Sequence, residues 1–179
     1  ARGLELDTPE AEALAQAYLK DVIMHEVGHT LGLRHNFRAS TVYDLKQIQD
    51  PNFTKINGVV TSVMDYSPFN ISPKGEKQGE YVMSTIGAYD YWAIEFGYKQ
   101  FALGQEAQGL AQILAKASQP ELQFDSDEDA GYGSMGGVDP MVNRFDLGAD
   151  PLAYYKQRMK LSRELWDRLQ NMNLATGES

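Results

Sequence analysis

Apolar residues in this chain gather into a few stretches with helical spacing, separated by long runs that have no clear period. Leu14, Ala17, Tyr18, Val22, Val27 and Leu31 recur as on one side of an amphipathic helix. Thr8 is the expected N-cap and Pro9 the first helical residue, Glu10 and Glu12 suit the positive end of the dipole, and Gly32 suits a left-handed stop. A helix is therefore predicted from about Thr8 to Leu31. Residues 33–83 look irregular, with Asp50-Pro51, Asn57-Gly58, Ser67-Pro68 and Ser72-Pro73 marking turns. Asn57-Gly58, between Phe53/Ile56 and Val59/Val60, suggests a short hairpin. A second helix is predicted from about Ser84 to Gly97, with Tyr89, Trp92, Ala93 and Phe96 on its core face. A third is predicted from about Gln105 to Ala117, with Leu110, Ile113 and Leu114 inward. The acidic, glycine-rich stretch 121–148 predicts a long loop. A last helix is predicted from cap Asp150 and Pro151, with Leu152, Tyr155, Met159, Trp166 and Leu169 as its packing face. No internal repeat is visible, and the pattern is mainly α.

Composition narrows the chemistry. With 179 residues the chain suits one domain with a core. Its formal charge of −9 argues against binding a phosphate backbone, so no nucleic-acid partner is expected. No apolar run approaches the length of a membrane span. There is no cysteine, so a metal site must use His, carboxylate or backbone oxygen. The chain starts Ala1-Arg2-Gly3, without Met, which suggests a piece of a longer protein.

All three histidines fall in His25-Glu26-Val27-Gly28-His29-Thr30-Leu31-Gly32-Leu33-Arg34-His35, of the form H-E-x-x-H-x-x-G-x-x-H. Residues four apart on a helix lie about 40° apart around its axis, so His25 and His29 can face one ion. Glu26 points about 100° away from His25, beside such an ion. Gly32 lets the backbone leave the helix sharply and bring His35 back as a third ligand. Three neutral imidazoles suit Zn2+ and leave a fourth position for water, whose proton Glu26 can accept as general base.

The segment resembles the metzincin clan of zinc endopeptidases, matching its pattern at all five fixed positions. Ser62-Val63-Met64-Asp65-Tyr66 resembles the clan's methionine turn, which implies that Met64 packs beneath the ligands. Tyr66 then matches a tyrosine that reaches the metal or the oxyanion, and is a second catalytic candidate. Asp90, Ala93, Ile94 and Tyr98 resemble the helix that follows this turn. Asp127-Glu128-Asp129, Arg144-Phe145-Asp146-Leu147-Gly148 and Pro151-Leu152-Ala153-Tyr154-Tyr155 look like the bacterial Met-zincin domain of large exported proteins. That resemblance implies a peptide or protein substrate and an extracytoplasmic location. It also implies that residues 1–179 are the catalytic-helix half of an α+β metzincin-like fold, with little or no sheet. Residues 1–35 would hold the active-site helix and third ligand, 62–66 the methionine turn, and 84–179 a helical C-terminal part. A sheet-bearing N-terminal half, which would complete the substrate cleft, would lie outside the chain.

Asp125, Asp127 and Asp129 alternate like calcium ligands, but Ala130 and Gly136 stand where a calcium loop needs Gly and Glu, so a solvated acidic loop is expected. Gly28, costly inside a helix, is expected to admit a neighbouring segment such as the methionine turn. Two other functions fit the motif: a zinc hydrolase acting on a non-peptide amide, and a silent, zinc-stabilised interaction module. The latter has no use for Glu26 or an open coordination position.

Overall fold

The computed structural model describes residues 7–132, 135–137 and 139–171, and these are mainly helical. Helix α1 spans Pro9–Thr30, with the Thr8 side chain accepting from the Ala11 N–H and Gly32 leaving at φ +84°. Gly32 ends it as the sequence predicts. The predicted hairpin at Asn57-Gly58 is absent. Instead Leu45–Ile48 forms α2 and Pro51–Asn57 forms α3, capped by Asp44 and Asp50. Gly58 ends α3 at φ +76°. The left-handed backbone that Gly supplies to a hairpin serves equally to leave a helix, and Asp50-Pro51 is a helix start.

Helix α4 covers Ala88–Tyr98 and α5 covers Glu106–Leu114, both shorter than predicted. They meet through Trp92, whose indole N–H donates to the Ile113 carbonyl at 2.9 Å. Tyr89 and Ile113 are buried, but Phe96 and Leu114 are exposed and do not serve the core. The expected long loop contains the short helix α6, Asp127–Ala130. It also contains the only sheet among the described residues, Gly131–Tyr132 (β1) antiparallel to Met135–Gly136 (β2).

Helix α7, Pro151–Gln170, is capped by Asp150 as expected, but its packing face is misassigned by the sequence pattern. Leu152, Tyr155, Met159, Trp166 and Leu169 are all exposed, whereas Tyr154 is buried and Gln157 and Leu161 are half-buried. Periodicity reveals that a stripe exists; which neighbour covers it is a tertiary matter.

The core forms around the segments between helices. Ala39, Ile48, Val59, Val60, Val63, Met64, Met83, Leu147 and Tyr154 make one buried cluster, with Met24 of α1 packed against it. The site-bearing helix thus rests on a core of short loops whose carbonyls and N–H groups are held by side chains.

Candidate metal centre

His25 and His29 lie one turn apart on α1, and the left-handed Gly32 returns the chain so that His35 closes the triangle. The ring centroids are 4.7 Å (His25–His29), 4.9 Å (His29–His35) and 5.4 Å (His25–His35) apart. One nitrogen from each ring lies within 4.8 Å of the others. These are the expected three residues, brought together.

Each ring is oriented through its other nitrogen. Nδ1 of His25 is 2.7 Å from the Val63 carbonyl, and Nδ1 of His29 is 3.0 Å from that of Leu33. Nδ1 of His35 is 2.9 Å from Asp127 Oδ2. An imidazole nitrogen facing an acceptor must carry the proton, so all three Nδ1 atoms are donors and each Nε2 keeps its lone pair. The Nε2 of His35 is buried without a hydrogen-bond partner. A buried acceptor with nothing to accept from is costly in a finished core. It fits a ligand atom awaiting a cation, so the donor set suits zinc. His25 reinforces this: burial, and then the neighbouring His29 and His35, hold its pKa below the usual value despite opposition from the Val63 carbonyl and Glu26. It therefore stays neutral near pH 7.

The Ser62–Tyr66 segment lies directly beneath. Met64 is fully buried, and a Cβ on Gly28 would sit 2.2 Å from its sulfur. Gly28 does admit Met64. The turn is gripped from both sides, because Val63 accepts from His25 and Met64 accepts from the Asn36 N–H at 3.0 Å. From α4, the buried Asp90 takes Ser62 Oγ at 2.6 Å, the Val63 N–H at 2.9 Å and the Gly87 N–H at 2.7 Å. Burial raises the pKa of Asp90, and those three donors partly offset it. Within the turn, burial and then the nearby Asp146 push Asp65 well above the usual carboxylate range.

Tyr66 stands beside the histidines, 4.5 Å from His35 and 5.3 Å from His25 between ring centroids. Partial burial, then the charges of Asp127 and Glu26, raise its pKa, with Arg144 opposing. The phenol is thus a proton donor at neutral pH. Glu26 is exposed, and its charge acts on both His25 and Tyr66.

The residues 7–179 match the Met-zincin family over nearly the whole chain. The chain belongs to the Met-zincin family. No curated protein and no solved structure matches it. The Met-zincin chain is thereby a metallopeptidase-like domain with a histidine cluster compatible with a metal ion.

One element of this Met-zincin site was misjudged from sequence. The acidic loop is not simply solvated. Asp127 holds His35 and also takes Arg144 Nη2 at 3.1 Å, while Arg38 pairs with Asp139 at 2.6 Å and lies 3.4 Å from Asp125. Burial pushes Asp127 up, but the bonds from His35 and Arg144 outweigh it and leave its pKa below the usual value. Arg144 in turn lies over the Phe37 ring at 4.5 Å and donates to the Gly131 carbonyl at 2.8 Å. Among the described residues the three histidines form the metal-spaced group, and the Asp125–Asp129 run does not.

Proposed function

We propose that this domain is a zinc-dependent endopeptidase, with His25, His29 and His35 as ligands, Glu26 as general base and Tyr66 as hydrogen-bond donor to the developing oxyanion. The observation that carries the reading is the set of three Nδ1-anchored imidazoles, which leaves three lone pairs converging beside an exposed carboxylate. The bound ion would supply Lewis acidity, acidifying water and polarising a carbonyl. Glu26 accepts the proton from the attacking water and passes it to the departing amine. The protonated Tyr66 phenol donates to the oxygen that gains charge. Peptide hydrolysis then needs no covalent enzyme intermediate.

Only His25 and Gly28 of α1 are buried, while Leu19, Ile23 and Val27 form an exposed apolar stripe at intervals of four. That stripe supports a further packing element, contributed by the parent protein, which completes the cleft. Among the described residues no helix is long and apolar enough to cross a membrane. We place the domain in an exported, extracytoplasmic protein, on its likeness to the Met-zincin domain.

Zinc content of the purified chain, with Glu26→Ala and Tyr66→Phe variants, tests the mechanism. One zinc per chain should survive both substitutions. In the longer protein that completes the cleft, hydrolysis of a peptide library should vanish with Glu26→Ala and fall by roughly 10²-fold or more with Tyr66→Phe. Undiminished cleavage by Glu26→Ala would rule the mechanism out.

A further inference from the structure

Phe145 combines two unfavourable features at the rim of the histidine cluster. Its backbone lies at φ +64°, in the left-handed region, and its side chain is 62% exposed. Left-handed backbone crowds Cβ against the following carbonyl; Asn and Asp can compensate through local hydrogen bonds, and Phe cannot. Exposure of the ring forgoes the burial that normally keeps a Phe inside. Such a conformation persists only where the surroundings over-determine it, and functional sites are where this happens.

The surroundings do so here. The Phe145 N–H donates to the Tyr66 carbonyl at 2.9 Å, and Tyr154 Oη approaches the Phe145 carbonyl at 3.5 Å. On either side, Arg144 is tied to Asp127, and buried Asp146 accepts from Ser40 Oγ at 3.0 Å. The ring stacks on Tyr66 with centroids 6.0 Å apart and planes 18° from parallel. Tyr66 in turn contacts His25 and His35. An aromatic series therefore runs outward from the histidines and ends in an exposed apolar ring, fixed by its backbone.

We propose that Phe145 is the apolar wall of a substrate subsite, receiving an aromatic or large aliphatic side chain of the peptide next to the bond cleaved. The inference rests on the peptidase reading and adds a specificity residue to it. One face of the ring is taken by Tyr66, and the remaining exposed ring surface loses water when an apolar side chain packs on it. Glu26 and Asp127, whose charges at Tyr66 are only partly opposed by Arg144, disfavour an acidic side chain at the same place.

The test, run in the longer protein that completes the cleft, compares the parent sequence with Phe145→Gly, which suits the left-handed backbone and removes the ring, and Phe145→Tyr, which keeps it. The probes are two fluorescent peptides differing only in Phe or Ser beside the cleaved bond. Phe145→Gly should keep a melting temperature at or above the parent's, because strain is relieved. It should raise KM for the Phe peptide by roughly tenfold and leave KM for the Ser peptide nearly unchanged, while Phe145→Tyr retains the preference. An equal fall in kcat for both peptides at constant KM would make Phe145 a prop for Tyr66 and overturn the subsite. So would an unchanged preference, or a sharp drop in melting temperature. If the longer protein with the completed cleft cleaves neither peptide, the peptidase reading fails separately. Anisotropy binding of the same peptides then decides: selective loss of the Phe peptide in Phe145→Gly supports the subsite, and equal binding overturns it.

Discussion

Gly28 and Met64 share a space with no room for a side chain between them: a Cβ at Gly28 would stand 2.2 Å from Met64 Sδ, and Met64 is fully buried. This contact locks the histidine-bearing helix onto the turn beneath it. Gly28→Ala gains about 1 kcal/mol of helix propensity and suffers overpacking of about 1–3 kcal/mol. A net loss is expected, with the melting temperature falling by a few degrees and zinc binding weakened alongside. Thermal unfolding with and without zinc reads both, and a variant as stable as the parent would mean that Met64 repacks freely.

Asp127 fixes the tautomer and direction of His35 from 92 positions away. Asp127→Asn keeps the shape, but its amide accepts more weakly and carries no charge. Zinc affinity, measured by chelator competition, should drop about 10–100-fold with little change in helix content. An affinity within twofold of the parent's would leave the contact without a role in metal binding.

Asp21 lies one turn before His25, where burial lifts its pKa to about 6, opposed by the Met83 N–H. Its folded pKa exceeds the unfolded value, so its contribution is most favourable below about pH 4 and is lost as pH rises through 6. Asp21→Asn should accordingly gain stability above pH 6, by about 1–3 kcal/mol after allowance for partial solvent screening. The gain should vanish near pH 4. Denaturant unfolding at pH 4 and pH 7.5 measures the difference; an equal effect at both would dismiss Asp21 as the titrating group.

Local features were legible in the sequence. The cap at Thr8, the exit at Gly32 and the spacing of His25, His29 and His35 follow from helix geometry alone. Gly28 signalled a close approach because a mid-helix glycine is expensive. The hairpin expected at Asn57-Gly58 failed because the glycine conformation has two uses. The stripe of Leu152, Tyr155 and Met159 was visible, but not that Tyr154 faces the core. Asp127 was seen and assigned to solvent, since nothing local distinguishes a solvated carboxylate from one paired across the fold.

The anchoring of His35 has a consequence for how the protein is made. His25 and His29 sit on helix α1, whereas His35 is aimed only when Asp127 and Arg144, about a hundred residues further along the chain, arrive. A ribosome delivering the chain from its N-terminus completes those residues late, at about 5–20 residues per second. The nascent chain therefore carries the whole motif for seconds before the three imidazoles are all held in place, and the histidine cluster is complete only after Asp127 and Arg144 have been translated.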